Sequence, residues 1–155
     1  IVREEVGRTE ITVTGNTEEF EGEDDKIECS SWKEVEELIG ENILEPTYIP
    51  EGYVLKSLVV KDSELRNVII GRYENGEGYY LKFRVIVYPK DFKKEMLQYK
   101  KDWNMIKETE ENNIQYYNSG DVFEAFFSQN KCVYYISNNE SIETLESVID
   151  KMFEI

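Results

Sequence analysis

The chain has 155 residues, of which 40% are hydrophobic, so it is long enough to form one domain with a buried core. Its 33 acidic and 18 basic side chains give a net charge of −15, which disfavours nucleic acid and anionic membranes as partners and leaves cationic ones: divalent ions, basic proteins and positively charged envelope polymers. The absence of histidine removes the usual general base at neutral pH, the Ser/His and Cys/His nucleophile pairs and metal sites that need imidazole.

Residues 1–28 are predicted to form an N-terminal arm, and residues 29–155 a single domain. Alternation over 9–14 predicts a short strand. In 18–25, seven of eight residues are charged or glycine, which indicates a solvated acidic linker. Carboxylate clusters can bind calcium, but this run lacks the alternating aspartates of a calcium loop, so we predict no metal site in it.

The first helix is predicted to begin at Ser31 and to end at Gly40. Ser31-Trp32-Lys33-Glu34 has the spacing of a capping box, and four apolar residues then recur on one helical face. Trp32 belongs to that face. It is interpreted either as an aromatic platform for a ligand or as a core residue packed on the sheet, and helical spacing favours packing.

Three strands are predicted next, over 53–61, 67–74 and 78–88, because these stretches are rich in β-branched and aromatic residues. Asn75-Gly76 predicts a two-residue type I′ turn between the last two. The result is a meandering antiparallel sheet.

Both faces of this sheet are predicted to carry apolar side chains. In the first strand, simple alternation groups Leu55 with Val59 and Lys61, and Val54 with Leu58. In the third strand, Lys82 and Arg84 mark the wetter face, where they either contact a ligand or balance nearby carboxylates. One face is expected to be covered by helix.

The second half of the chain is predicted to add further strands and a closing helix. Residues 90–104 fit a short helix followed by the start of a strand near Trp103. Turn signals then separate strands over 114–117, 122–128 and 132–137. The run Asn138-Asn139-Glu140-Ser141 supplies a helix cap, and an apolar stripe predicts a helix over 142–152. The predicted fold class is therefore α+β, an antiparallel β-sheet meander packed against a C-terminal helix and a short N-terminal helix.

The two cysteines, Cys29 and Cys132, are too few and too far apart for a zinc knot or a redox pair. They either form a disulfide that closes a long loop or remain free thiols, and the apolar strand around Cys132 favours the latter. No cofactor or metal site is predicted. No apolar run is long enough to cross a bilayer.

The segment Tyr48-Ile49-Pro50-Glu51-Gly52-Tyr53, the meander, the strand Cys132-Val133-Tyr134-Tyr135-Ile136-Ser137 and the closing helix together resemble an uncharacterised extracytoplasmic domain family of Gram-positive bacteria. Members usually follow a membrane-spanning helix in proteins resembling anti-sigma factors, or occur in lipoproteins. The resemblance covers about residues 46–153 and assigns no catalytic residue. It implies an outward-facing domain on a tether that lies outside this sequence, with a sensing or interaction role.

The sequence therefore predicts a non-catalytic sensor or protein-interaction domain whose partner is a protein or an envelope component. Tyrosines are the expected contacts, because rigid amphipathic rings gain contact area at little cost in entropy. Six of the 11 tyrosines form adjacent pairs, so each pair should place one ring on each sheet face. The candidate residues are Tyr79, Tyr80, Tyr116, Tyr117, Tyr134 and Tyr135.

Two alternatives remain open. An inhibitor or chaperone-like domain would bind basic or apolar peptides in a concave groove between helix and sheet. A hydrolase run by two carboxylates needs no histidine, and Glu108, Glu110, Asp121 and Glu124 are candidates, although nothing in their spacing selects a pair.

Overall fold

The structure, a computed structural model, describes residues 26–62, 66–88 and 103–154. The predicted strand at 9–14, the acidic linker and most of 90–104 lie outside these ranges. The elements in chain order are β1 (Lys26–Glu28), α1 (Trp32–Ile39), β2 (Val54–Asp62), β3 (Asn67–Glu74), β4 (Tyr80–Val87), β5 (Asn104–Glu108), β6 (Gln115–Ser119), β7 (Val122–Gln129), β8 (Cys132–Asn138) and α2 (Ile142–Met152). The predicted α+β class is confirmed.

The strands form one antiparallel sheet in the order β1-β2-β3-β4-β8-β7-β6-β5. It consists of two four-stranded meanders, β1–β4 and β5–β8, that are joined side by side where β4 pairs with β8. The centre of the sheet is therefore built from strands far apart in sequence, with Val85 opposite Tyr134.

Both helices contribute to the core on the same face of the sheet, which we call the helix-covered face. From α2, Leu145, Val148 and Ile149 are fully buried in this core. From α1, Trp32 packs edge-on against the ring of Phe83, with 5.6 Å between ring centroids. Trp32 is thus a core residue, as its helical spacing favoured.

The two predicted helix caps are present. Ser31 accepts a hydrogen bond from the N–H of Glu34, and Ser141 accepts one from the N–H of Thr144. Gly40 ends α1 in the left-handed conformation, at φ 72°, which costs glycine no Cβ clash.

The prediction that Leu55 shares a face with Val59 was wrong. The register of β2 against β3 is irregular between Leu55 and Ser57, so Lys56 is an extra residue and the alternation shifts by one. Leu55 consequently packs against the helix-covered core together with Leu58, while its neighbour Val54 is 57% exposed.

The two-residue turn predicted at Asn75-Gly76 was also wrong. The β3–β4 loop is longer, because the N–H of Asn75 donates to the carbonyl of Tyr79 over 3.0 Å, and the positive φ of 94° falls on Gly78. The side-chain oxygen of Asn75 accepts hydrogen bonds from the N–H groups of Glu77 and Tyr79. The Asn75 side chain thus stabilises the longer loop by accepting hydrogen bonds from its backbone N–H groups, which a two-residue type I′ turn does not require.

Cys29 and Cys132 are both free thiols. Cys29 follows β1, and β1 lies four strand spacings from β8, which carries Cys132. At about 4.8 Å per spacing this is roughly 19 Å, far beyond the reach of a disulfide. Burial raises the pKa of the Cys132 thiol to about 11.

A buried asparagine at the end of β8 connects the two meanders to α2. The amide nitrogen of Asn138 donates to the carbonyl of Tyr80 over 2.7 Å and to the hydroxyl of Tyr53 over 3.2 Å. Its oxygen accepts from the N–H groups of Glu140 and Ser141, each over 3.1 Å. The hydroxyl of Tyr53 donates in turn to Glu140, over 2.6 Å. We call Asn138 and these four partners the Asn138 junction.

Asn139, the next residue, binds the other backbone group of Tyr80 on β4. Asn139 accepts a hydrogen bond from the N–H of Tyr80 over 2.8 Å and donates to the carbonyl of Gly78. Both backbone groups of Tyr80 are therefore fixed by two side chains, one from the last residue of β8 and one from the residue after it.

Replacing Gly71 with alanine should destabilise the fold. A Cβ at this position would lie 3.0 Å from a ring carbon of Trp32 and 3.2 Å from a methyl of Leu58. We expect Gly71→Ala to lower the free energy of unfolding by about 1–3 kcal/mol in urea denaturation, because packed side chains must move. The matched control is Gly76→Ala, where a Cβ meets nothing within 4 Å. Equal stability of the two variants would contradict this packing.

Replacing Asn138 with alanine should cost about 3 kcal/mol of unfolding free energy, because the fully buried amide serves a carbonyl and two N–H groups that would lose their partner. Asn118→Ala is the control, since that amide makes an exposed hydrogen bond to the carbonyl of Gly120. We expect the control to change stability by less than about 0.5 kcal/mol in the same denaturation experiment. A cost for Asn138→Ala no greater than for the control would show that the junction does not stabilise the domain.

Candidate functional site

The face opposite the helices, which we call the second face, has an apolar zone and a polar zone. The apolar zone lies towards the end of β2 and the start of β3 and consists of five buried residues: Val59, Val68, Ile70, Ile86 and Val133. Phe126 and Tyr135 pack against it and are half-buried. The prediction that both faces carry apolar side chains is confirmed.

The six candidate tyrosines alternate between the faces but differ in exposure. Tyr116 and Tyr134 belong to the helix-covered core and are each 1% exposed, and Tyr117 is 2% exposed. Tyr79 is half-buried against the helix-covered core. Of the six candidates, Tyr80 and Tyr135 are half-buried on the second face.

Each of these two rings is covered by an arginine. The guanidinium carbon of Arg72 lies 4.5 Å from the ring centre of Tyr80, and that of Arg84 lies 4.3 Å from the ring centre of Tyr135. A guanidinium over an aromatic face is attracted by the ring quadrupole, and its planar shape allows it to stack. Arg84 therefore lies on the second face together with Tyr135.

Hydrogen bonding further fixes Arg72. Its Nε–H donates to the Oε2 of Glu74 over 2.7 Å, and the side chains of this pair are 39% and 41% exposed. Burial raises the pKa of Tyr80, the positive charge of Arg72 opposes this shift, and the carboxylate of Glu124 adds to it. The ring hydroxyl thus stays protonated beside a cation.

The polar zone extends across three strands towards the β3–β4 loop. Arg72 lies directly opposite Lys82, and Glu74 lies between Val54 on β2 and Tyr80 on β4. We call these five residues the Arg72–Tyr80 patch. The patch combines an exposed apolar side chain, an aromatic ring, two cations and one carboxylate.

Sequence reasoning had not identified Arg72 as a site residue. A two-residue turn at Asn75-Gly76 pairs residue 74 with 77 and puts Arg72 opposite Tyr79. The observed loop pairs Glu74 with Tyr80 and therefore Arg72 with Lys82. The asparagine that accepts two loop N–H groups was the available signal for the longer loop.

The four carboxylates considered for hydrolysis are distributed over β5, β7 and two turns. Glu110 and Asp121 lie in turns at opposite ends of β6, which at about 3.3 Å per residue is roughly 16 Å long. Glu108 lies opposite Gln115, whereas Glu124 lies opposite Tyr117. Within 26–62, 66–88 and 103–154, no group of three acidic or cysteine side chains is arranged to hold a metal ion.

The fold and this surface define an α+β domain with an eight-stranded antiparallel sheet, covered by two helices on one face and carrying an arginine–tyrosine surface on the other. Residues 43–152 match the model of the family described as "Domain of unknown function (DUF4367)", and because the match covers more than half of the chain, the chain belongs to this family. No curated protein and no solved structure matches the chain. Among the described residues, neither helix has the length and apolar character to span a bilayer.

Stability should fall as pH rises from about 10 to 12, because an unfolded tyrosine ionises near pH 10. Burial, and then the hydrogen bond to Glu140, raise the pKa of Tyr53 to about 12, and burial also raises the pKa of Tyr116 and Tyr134. The folded state therefore binds more protons in this window, and each such proton lowers the unfolding free energy by about 1.4 kcal/mol per pH unit. Below pH 10 this contribution is fully present.

Urea denaturation at a series of pH values, with tyrosinate absorbance recorded in parallel, measures this effect. Tyr116→Phe should make the alkaline decline shallower, whereas Tyr48→Phe, which removes an exposed hydroxyl, should leave it unchanged. Constant stability across the window would contradict the burial of these hydroxyls.

Proposed function

We propose that this chain is a non-catalytic, extracytoplasmic sensor or protein-interaction domain of a membrane-anchored bacterial protein, and that the Arg72–Tyr80 patch is its contact surface. The carrying observation is that Arg72 is held in place by the ring of Tyr80 and the carboxylate of Glu74 while its side chain remains 39% exposed. A side chain that is already ordered loses little entropy when a partner binds.

The composition of the patch supports a protein partner. Arginine and tyrosine are enriched among the residues that carry most of the binding energy in protein interfaces. Val54 adds an apolar contact at 57% exposure on the other side of Glu74 from Tyr80, and the backbone of Tyr80 is fixed by Asn138 and Asn139. The patch thus has a fixed backbone at Tyr80 and exposed side chains at Val54 and Arg72.

The resemblance of the Tyr48–Tyr53 segment, the meander and the closing helix to extracytoplasmic domains supports the outward location. In that context the domain follows a membrane tether, so a contact on the second face would report on the cell envelope. The net charge of −15 agrees with a domain that stays dissolved beside an anionic membrane surface.

The positions of the carboxylates support a role without catalysis. Paired-carboxylate hydrolysis requires the two groups within roughly 5–10 Å of each other. Glu110 and Asp121 are separated by the length of β6. The backbones of Glu108 and Glu124 lie two strand spacings and two residues apart, which is roughly 12 Å at about 4.8 Å per spacing and 3.3 Å per residue.

The peptide-groove alternative is less well supported. The space between α2 and the sheet is filled, since Leu145, Val148 and Ile149 are fully buried. The ring of Phe127 stacks on that of Tyr134 with centroids 4.7 Å apart and also contacts Phe153. An extended peptide would have to displace these packed side chains.

Site-specific photocrosslinking in intact producing cells tests the proposal. A photoreactive amino acid at Val54 of the full-length gene product should yield a discrete adduct with an envelope protein, because this side chain lies within the patch and is exposed. The control is the same amino acid at Glu143, an exposed residue on α2. Protease added outside intact cells should digest the adduct if the domain faces outwards.

Adducts of equal yield and pattern at the two positions would reject the patch as the contact surface. An adduct that survives external protease until the cells are opened would reject the outward location.

A further inference from the structure

We propose that Asn75-Gly76, in the β3–β4 loop, is a site of spontaneous deamidation in the folded protein, at which the loop itself activates the side-chain amide. Deamidation converts an asparagine into aspartate or isoaspartate through a cyclic imide. Asparagine is a thermolabile residue, and a following glycine has no Cβ to hinder the attacking nitrogen. The chemistry of this site does not depend on the proposed interaction role.

The first requirement is a backbone nitrogen that can attack the amide. Gly76 is exposed, and a Cβ at this position would meet nothing within 4 Å, so the space beside it is open. Within the described ranges, the N–H of Gly76 makes no hydrogen bond. The next two residues, Glu77 and Gly78, are also exposed. Water and hydroxide can therefore reach this N–H and take its proton.

The second requirement is a polarised side-chain carbonyl. The Oδ1 of Asn75 accepts hydrogen bonds from the N–H of Glu77 over 2.9 Å and from the N–H of Tyr79 over 3.1 Å. Attack on Cγ puts negative charge on this oxygen, and two backbone N–H groups aimed at it stabilise that charge, as in an oxyanion hole. The hydrogen bonds that close the loop thus also lower the barrier to attack.

The reaction needs only water and hydroxide. Hydroxide takes the N–H proton of Gly76, and the nitrogen forms a bond to Cγ of Asn75, which moves an electron pair of the C=O bond onto Oδ1. When this pair re-forms the carbonyl, the bond from Cγ to the amide nitrogen breaks, and that nitrogen takes a proton from water and leaves as ammonia. A further water molecule opens the cyclic imide at either carbonyl, which gives aspartate or isoaspartate.

The two products differ in their effect on the β3–β4 loop. The aspartate product keeps an acceptor oxygen for the N–H groups of Glu77 and Tyr79, and its negative charge strengthens both bonds. The isoaspartate product adds one carbon to the main chain inside the loop, which the N–H of Asn75 closes by donating to the carbonyl of Tyr79. Isoaspartate therefore disturbs the loop that sets the register of β3 against β4.

Incubation of the folded protein, followed by tryptic digestion and mass spectrometry, tests the site. Trypsin releases residues 73–82 as one peptide, in which Asn75 is the sole asparagine. We expect Asn75 to be lost faster than Asn130, an exposed asparagine in the β7–β8 turn that is followed by Lys131. The rate at Asn75 in buffer should be at least as high as in urea, because unfolding removes the two N–H donors.

Variants separate the contributions of the loop and of the glycine. Glu77→Pro removes one of the two N–H donors, whereas the matched control Glu77→Ala keeps it. We expect deamidation of the folded protein to be at least about tenfold slower in Glu77→Pro than in the control, with equal rates in urea. Gly76→Ala should also slow the reaction at least about tenfold, because its Cβ shields the nitrogen. Circular dichroism confirms that each variant is folded.

The effect on the loop is measured on the products. The isoaspartate form, separated by chromatography and identified with an isoaspartyl methyltransferase, should unfold at a lower urea concentration than Asn75→Asp, which carries the same charge without the added carbon. Equal urea midpoints would overturn the effect of isoaspartate on the loop.

Three results would overturn the site itself: a lower rate at Asn75 in buffer than in urea, equal rates in folded Glu77→Pro and Glu77→Ala, or loss of Asn75 no faster than loss of Asn130. If Glu77→Pro does not fold, the comparison of buffer with urea decides whether the loop activates the amide. None of these results affects the crosslinking test, so the deamidation site and the interaction role stand or fall separately.

Discussion

The arrangement of this domain depends on the hydrogen bonds of one buried side chain, the amide of Asn138. It hydrogen-bonds to the carbonyl of Tyr80, to the hydroxyl of Tyr53 and to the N–H groups of Glu140 and Ser141. These bonds hold the start of β2, the start of β4 and the turn before α2 together at one point. A buried amide is costly unless its donors and acceptors are matched, and matching them here requires all three elements in place. Tyr53 therefore contacts the end of β8 and the turn that leads into α2.

This junction also links the core to the candidate surface. Because Asn138 and Asn139 bind both backbone groups of Tyr80, the ring beneath Arg72 projects from a strand that cannot shift without breaking these bonds. The helix-covered face supplies the burial that stabilises the domain, while the second face keeps a polar zone at the end of the sheet next to the junction. The fixed backbone of Tyr80 thus supports the exposed side chain of Arg72, which stacks on its ring.

Local signals in the sequence predicted the helices and most strands, because caps and alternation act over a few residues. Ser31 and Ser141 begin their helices as expected, and the strand content follows the β-branched and aromatic runs. The pairing of β4 with β8 has no such signal, since it depends on contacts between residues about 50 positions apart. The bulge at Lys56 has no local signal for a related reason. The extra residue places Leu55 on the helix-covered face, where it packs against the core, and this packing depends on residues distant in sequence.

The candidate site shows how strongly a surface depends on register. In a hairpin, the loop length decides which residues face each other. The longer loop moves the partner of Arg72 by three residues, from Tyr79 to Lys82. The cation pair and the guanidinium over Tyr80 therefore exist only because Asn75 closes a longer loop around Gly78. Composition identified the acidic character of the chain and alternation identified the two faces of the sheet, but the arrangement of the Arg72–Tyr80 patch arises from the loop. Where the length of a hairpin loop is not known, the sequence alone cannot assign the cross-strand partners of the residues beside that loop.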